Sequence, residues 1–282
     1  MFLIEPNIHV SSRTTDDYEK MYDAGIRVVV EPSHWLGSPR RYAGSFFDNF
    51  RQILEFETAR AAQYGIDHFA CLGINATEAQ NRRLVDEVLA GMGEYLSHHK
   101  CVGIGEIGLR KITENEIYAF RRQLMLAEEM SLPVMVCLPD ENSEIAAYAV
   151  HDIITAEGFN QNSILIDNNT EDSLSILKST DCFFGLTINR YSKMEPGRVG
   201  EILKKFGSDR IMLSSSADWA ASDPLSLPTT LDYLSAHGFP VDVLRLLCRH
   251  NTEKFFSRNV RWKPKYDILP KLETDLISDG AL

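Results

Sequence analysis

Glu106 is the only charge in the run Val102-Gly103-Ile104-Gly105-Glu106-Ile107-Gly108-Leu109, which opens at Cys101 and ends at Arg110. A nearly continuous apolar segment of this length reads as a strand buried on both faces, as in a parallel sheet. Glycine at 103, 105 and 108 weakens a strand unless something approaches its backbone closely. A carboxylate at the end of such a strand needs a partner, because burying it alone is too costly. A basic partner would make Glu106 structural. A metal or substrate at the carboxyl end of a barrel strand would make it chemical.

The other apolar runs also end in polar side chains. In order these are Asn7 and His9, Glu31 and His34, Asn75, Glu106, Cys137, Asp167 and Asn168, Asn189, and Asp218. Each has a plainer explanation on its own: a strand-end Asn caps a turn, Asp218 before Trp219 can cap a helix, and His34 beside Trp35 can be a satisfied loop histidine. Together they form a polar ring drawn from distant parts of the chain. In α/β barrels chemistry is assembled from such strand ends.

The elements that would position this ring follow from periodicity. Apolar, β-branched runs mark strands at 2–8, 26–31, 67–74, 101–107, 133–138, 163–167, 182–188 and 210–215. Helix-period stretches separate them at 15–24, 47–64, 77–97, 114–131, 142–157, 171–178, 196–206 and 227–237. Ser12-Arg13-Thr14-Thr15-Asp16-Asp17 supplies hydroxyl caps and first-turn acids for the first helix. Eight strands alternating with eight helices predict an α/β fold, a single (β/α)8 barrel over 1–260. An open doubly wound sheet is the competing fold, but it has no obvious home for eight strands and the chain lacks a Gly-rich phosphate loop. A last helix from about 240 gives a helical extension, and the Lys-, Pro- and Asp-rich segment 261–282 reads as a surface tail.

The chain has 282 residues, 44% of them hydrophobic, a net charge of -11 and five scattered cysteines, Cys71, Cys101, Cys137, Cys182 and Cys248. One large core is within reach. The acidic balance argues against a nucleic-acid partner, which would need clustered Lys and Arg. The cysteines lack the spacing of a zinc module. Met1-Phe2-Leu3-Ile4-Glu5 has no basic, then apolar leader, and no run is long enough for a membrane span. The expectation is a cytoplasmic protein with a small-molecule substrate and no membrane partner.

Ile4-Glu5-Pro6-Asn7-Ile8-His9, Gly105-Glu106-Ile107-Gly108, Val136-Cys137-Leu138-Pro139, Ile166-Asp167-Asn168-Asn169 and Ser216-Ala217-Asp218-Trp219 fall in an order that resembles the TatD-related metal-dependent hydrolases, among the amidohydrolase-type barrels. Ser12-Arg13-Thr14-Thr15-Asp16-Asp17-Tyr18 and Trp35-Leu36-Gly37 add a resemblance to the EboB-like branch. The similarity runs from about residue 3 to 257.

The resemblance implies His-x-His after the first strand, where this chain has Asn7-Ile8-His9. It implies a histidine at the end of strand five, occupied here by Cys137, and another at the end of strand six, occupied by Asn168. Of the implied metal-ligand positions only His9, Glu106 and Asp218 match. The basic residues implied after strand five are replaced by Asp140-Glu141-Asn142-Ser143-Glu144.

If Glu106 and Asp218 lie a few ångströms apart, as the resemblance implies, two ionised carboxylates repel by roughly 4 kcal/mol at an effective dielectric near 20. That corresponds to about three pKa units. A single zinc ion held by His9, Glu106, Asp218 and a Cys137 thiolate would neutralise the pair. So would an imidazolium from His9 or His34, or a proton kept on one carboxyl. The metal-free answers are preferred, because asparagine is a poor transition-metal ligand, whereas Asn7 and Asn168 can donate to a carbonyl that gains charge.

The expectation is therefore an amidohydrolase-like enzyme acting on a small organic molecule by acid–base chemistry, with no cofactor favoured. Hydrolysis is the prior; isomerisation, elimination or cyclisation use the same proton transfers. Asp218 is expected as base or acid and Glu106 as its coupled partner. His9 and His34 would orient or relay protons, while Asn7, Cys137, Asn168, Asn189 and Trp35 would line the substrate. The alternatives are a one-zinc hydrolase and a non-catalytic small-ligand binder.

Overall fold

A computed structural model of the chain describes residues 1–189, 191 and 193–271. The strands are β1 (Leu3–Glu5), β2 (Ile26–Pro32), β3 (Asp67–Leu72), β4 (Cys101–Ile107), β5 (Val134–Cys137), β6 (Ile164–Asp167), β7 (Phe183–Thr187) and β8 (Ile211–Ser214). They run parallel in sequence order, each paired with the next, so the fold is the expected (β/α)8 barrel. β1 is shorter than the predicted 2–8, since Pro6 has no N–H to give to a ladder. Beyond it, closure back to β8 runs through the strand ends. Ser216 N donates to Asn7 O at 2.9 Å and His9 N to Ala217 O at 2.9 Å. The Glu5 carboxylate accepts Ser215 N at 3.1 and 3.2 Å.

The helical stretches fold where their periodicity places them, including Thr15–Asp23, Glu114–Glu129, Ser143–Ala156 and Pro196–Phe206. Their apolar faces pack on the outer surface of the sheet around Val29, Ile104, Val136, Ile166 and Leu213. The barrel interior is a second cluster, built from Ile4, Val28, Val30, Phe69, Cys71, Val102, Met135, Leu165, Phe183 and Met212. The helix that ends at Phe256 supplies Phe255 and Phe256, which plug its lower end.

Part of the predicted surface tail belongs to that plug. Trp262 is 8% exposed and lies against Phe69 and Phe256, with ring centroids 4.7 and 5.0 Å apart. Lys265 N donates to Asp67 Oδ2 at 2.8 Å and Tyr266 stacks on Phe2. An indole is too large an apolar surface to leave in water when a barrel floor is open beside it. The remainder of the predicted tail, 272–282, lies outside the described residues.

The glycines of β4 answer to a neighbour. β5 passes so close that a Cβ on Gly105 would meet Met135 Cβ at 2.7 Å, and one on Gly108, just past the strand, Cys137 O at 2.4 Å. Among the described residues no helix is long and apolar enough to cross a membrane.

Candidate active site at the carboxyl mouth

The strand ends open into a cavity of about 560 Å³. Of the predicted site residues, His9, His34, Trp35, Glu106, Cys137, Asn168 and Asp218 all line it. Asn7 and Asn189 do not. The Asn7 amide lies below the cavity, where its Nδ2 donates to Asp167 Oδ2 at 2.7 Å. Asn189 serves its own loop: Nδ2 donates to Ala221 O at 3.2 Å and Oδ1 accepts Tyr191 N at 2.9 Å. The Asn7 donor that the sequence reading offered to a substrate carbonyl is thus used on Asp167, and Asn189, expected to line the substrate, bonds within its own loop. Asn168 faces the cavity, but its Nδ2 donates to Leu138 O at 2.8 Å and Asp140 Oδ1 at 2.9 Å, so its donors are committed within the protein.

Glu31, counted in the polar ring, turns outward. Val30 points into the barrel, so the next side chain must point to the helices. There Glu31 accepts Ser11 N at 3.0 Å and Ser11 Oγ at 2.7 Å, and its Oε2 lies 3.0 Å from His68 Nε2. This pins the short turn Val10–Ser12 directly after His9. His34 is held similarly. Ser33 Oγ donates to Gly73 O at 2.8 Å, and Arg40, paired with buried Glu78, donates from Nη2 to His34 O at 3.2 Å.

The two imidazoles pack edge to face with centroids 3.7 Å apart, and His34 also meets Trp219 at 4.4 Å. Burial and the neighbouring His34 hold His9 well below the usual histidine range, although its ring bonds to the Pro32 carbonyl. Burial likewise takes His34 down to about 4 despite the nearby Asp218 and Glu31 carboxylates. Both rings are neutral at pH 7. Burial thus works against the imidazolium that the sequence reading offered to neutralise the acids.

Glu106 keeps part of its surface open to the cavity. Asn75 Nδ2 donates to its Oε1 at 2.8 Å, and that amide is oriented by Thr77 N donating to Asn75 Oδ1 at 2.9 Å. The Cys137 thiol donates to it as well. Burial pushes Glu106 up to about 7, with Lys193 pulling it down and Asp167 and, last, Asp218 pushing it further up. Asp218 is the weaker partner. One of its carboxylate oxygens, Oδ1, accepts Ala220 N at 2.8 Å, and its carbonyl accepts Arg13 Nη1 at 2.5 Å.

Lys193 is the functional candidate that the strand-end reading did not select, and Asp167, counted in the polar ring, was given no role there. Lys193 lies in the loop after β7, with its Nζ 3.6 Å from Asp140 Oδ1. Burial works against its charge, but Cys137, Asp140, Asp167 and Glu106 around it outweigh burial and hold it above the usual lysine range. A basic residue in a loop at the carboxyl end of a strand was the available signal. Asp167 sits at the floor of the mouth, where it accepts Asn7 Nδ2, Asn168 N at 2.7 Å and Thr187 Oγ1 at 3.2 Å.

The residues do not fit the zinc set drawn from sequence. Among the described residues no three His, Cys, Asp or Glu side chains group so as to hold a metal ion. His9, Glu106, Cys137 and Asp218 share one cavity without converging. Burial and the neighbouring Glu106 push the Cys137 thiol well above its usual range.

The comparisons agree with the barrel. The family model described as TatD related DNase matches residues 7–257. An uncharacterized metal-dependent hydrolase of Methanocaldococcus jannaschii is 23% identical over 257 residues, covering 90% of this chain and 99% of that protein. The crystal structure of a TatD-like protein from Archaeoglobus fulgidus superposes with a TM-score of 0.75 at 22% identity, covering 90% of this chain and 99% of its own. A phosphotriesterase homology protein from Escherichia coli, with phosphate in its active site, gives 0.64 at 17% identity, covering 90% and 98%. These structural likenesses are likenesses of fold. The family match spans nearly the whole barrel, and the chain belongs to the TatD related DNase family, with the hydrolase-type barrel of the TatD and amidohydrolase kind.

Proposed function

We propose that this chain is a hydrolase of a small organic molecule, bound in the mouth cavity, with Glu106 as the acid–base centre. The observation that carries the reading is the state of Glu106, a carboxyl that opens to the cavity and is pushed by burial to about 7. An acid–base group works best when both forms are populated at the working pH. The Glu106 carboxylate takes a proton from water as the water oxygen bonds to the substrate carbonyl carbon. It returns that proton to the leaving heteroatom as the second bond breaks. The neutral His9 and His34 orient the bound molecule, and Trp35 gives it an aromatic wall. No step is routed through a metal, since the donor set does not fit one.

The substrate is small and not a nucleic acid. Among the described residues, the charged side chains lining the mouth are Glu106, Asp140, Glu141 and Asp218 against Arg110, Lys111 and Lys193, so there is no net positive cradle for a phosphate backbone. The five cysteines are all free, which suits a reducing cytoplasmic setting.

The test is turnover of a panel of small esters, lactones and amides by the wild type and by Glu106→Gln. The variant is expected to lose about 10²–10⁴ in rate with its melting temperature kept. Full activity in the variant would overturn the assignment.

A further inference from the structure

Lys193 brings a positive charge to a ring of acids in which, among the described residues, no metal set forms. Its loop is closed on itself. Lys193 N donates to Asn189 O at 2.8 Å, Asn189 N donates to Met194 O at 3.1 Å, and Ile188 bridges Met194. The Asn189 amide then ties this loop to Ala221 beyond β8. The lysine side chain is 19% exposed and points to Asp140, whose Oδ1 also accepts Asn168 Nδ2 at 2.9 Å. Glu106 and Cys137 line the same cavity.

We propose that the Lys193 ammonium is the resident cation of this mouth, supplying from the protein's own chain the positive charge that a divalent ion would otherwise bring. The surrounding Glu106, Asp140 and Asp167 favour its charged form over the cost of burial. A divalent ion entering the cavity would meet the half-buried ammonium among the same acids, and the two like charges would repel. The fixed cation thus excludes the mobile one. This inference concerns which cation occupies the site, and it stands apart from the reaction proposed for Glu106.

The experiment is calorimetric titration of the full chain with zinc and with manganese, after dialysis against chelator. Wild type and Lys193→Arg are expected to give no saturable binding in the micromolar range. Lys193→Met is expected to bind at least one of the ions ten-fold or more tightly than wild type, with a melting temperature that shows it folded. Lys193→Gln serves the same comparison should the Met variant not fold. Tight stoichiometric uptake by the wild type would overturn the proposal, as would folded Met or Gln variants that bind no more tightly than wild type.

Discussion

The Asn7 amide reaches across the floor of the mouth and donates to the Asp167 carboxylate at 2.7 Å, joining chain segments 160 residues apart. It connects the end of the first strand to the end of the sixth, and it sits beneath the cavity that Glu106 and Lys193 line. Both side chains are 2% exposed, so this bond is structural support for the ring above it.

That support needs Gly185. A Cβ there would fall 2.1 Å from Asp167 Oδ1. Gly185→Ala is expected to displace the carboxylate from Asn7 and Thr187 and to cost about 2–4 kcal/mol, in the range of broken buried hydrogen-bond networks. For a chain of this size the melting temperature should fall by roughly 5–15 °C. A shift under about 1 °C in differential scanning calorimetry would show that the floor yields without cost.

Glu5 gives a pH signature. Burial raises its carboxyl to about 8, against backbone donors from Ser215 and Asn7 that pull it down. Its folded value lies above its unfolded one. Its contribution is therefore fully present below about pH 4.5 and is lost as pH rises through about 8. Glu5→Gln removes the ionisation and keeps an acceptor for Ser215 N. Relative to wild type, the variant should gain on the order of a few kcal/mol between pH 5 and pH 9. Urea denaturation at the two pH values measures this, and parallel behaviour of the two proteins would contradict the assigned shift.

Asp218 separates a chemical role from a capping one. Asn caps about as well as Asp, so Asp218→Asn should keep the Ala220 contact and change stability by less than about 0.5 kcal/mol. Activity should fall about ten-fold, less than in Glu106→Gln, because Asp218 lines the mouth but is the last of the groups acting on Glu106. Unchanged turnover would leave Asp218 as a cap alone.

The charge balance of the mouth predicts poor nuclease activity. Single-stranded DNA incubated with the protein and magnesium, manganese or zinc should remain intact against a matched blank. Robust degradation that disappears in Glu106→Gln would place the acidic surface in a different light and make nucleic acid the substrate.

The sequence by itself determined the barrel and the cast of its mouth. Alternating apolar runs and helix-period stretches leave few arrangements for eight strands. The strand-end rule then put His9, His34, Glu106, Cys137, Asn168 and Asp218 around one cavity, where they are found with Trp35. Direction and partnership were decided by tertiary structure. Glu31 turns outward because Val30 turns in. The Asn7 and Asn168 amides spend their donors on Asp167, Leu138 and Asp140, and His9 and His34 lose their charge to burial. Lys193 becomes part of the site only because the loop after β7 folds back on Asn189 and carries the ammonium to Asp140. A side chain's period is local and can be read along the chain. Its hydrogen-bond partner and its desolvation depend on residues many positions away, which come together only when the barrel closes.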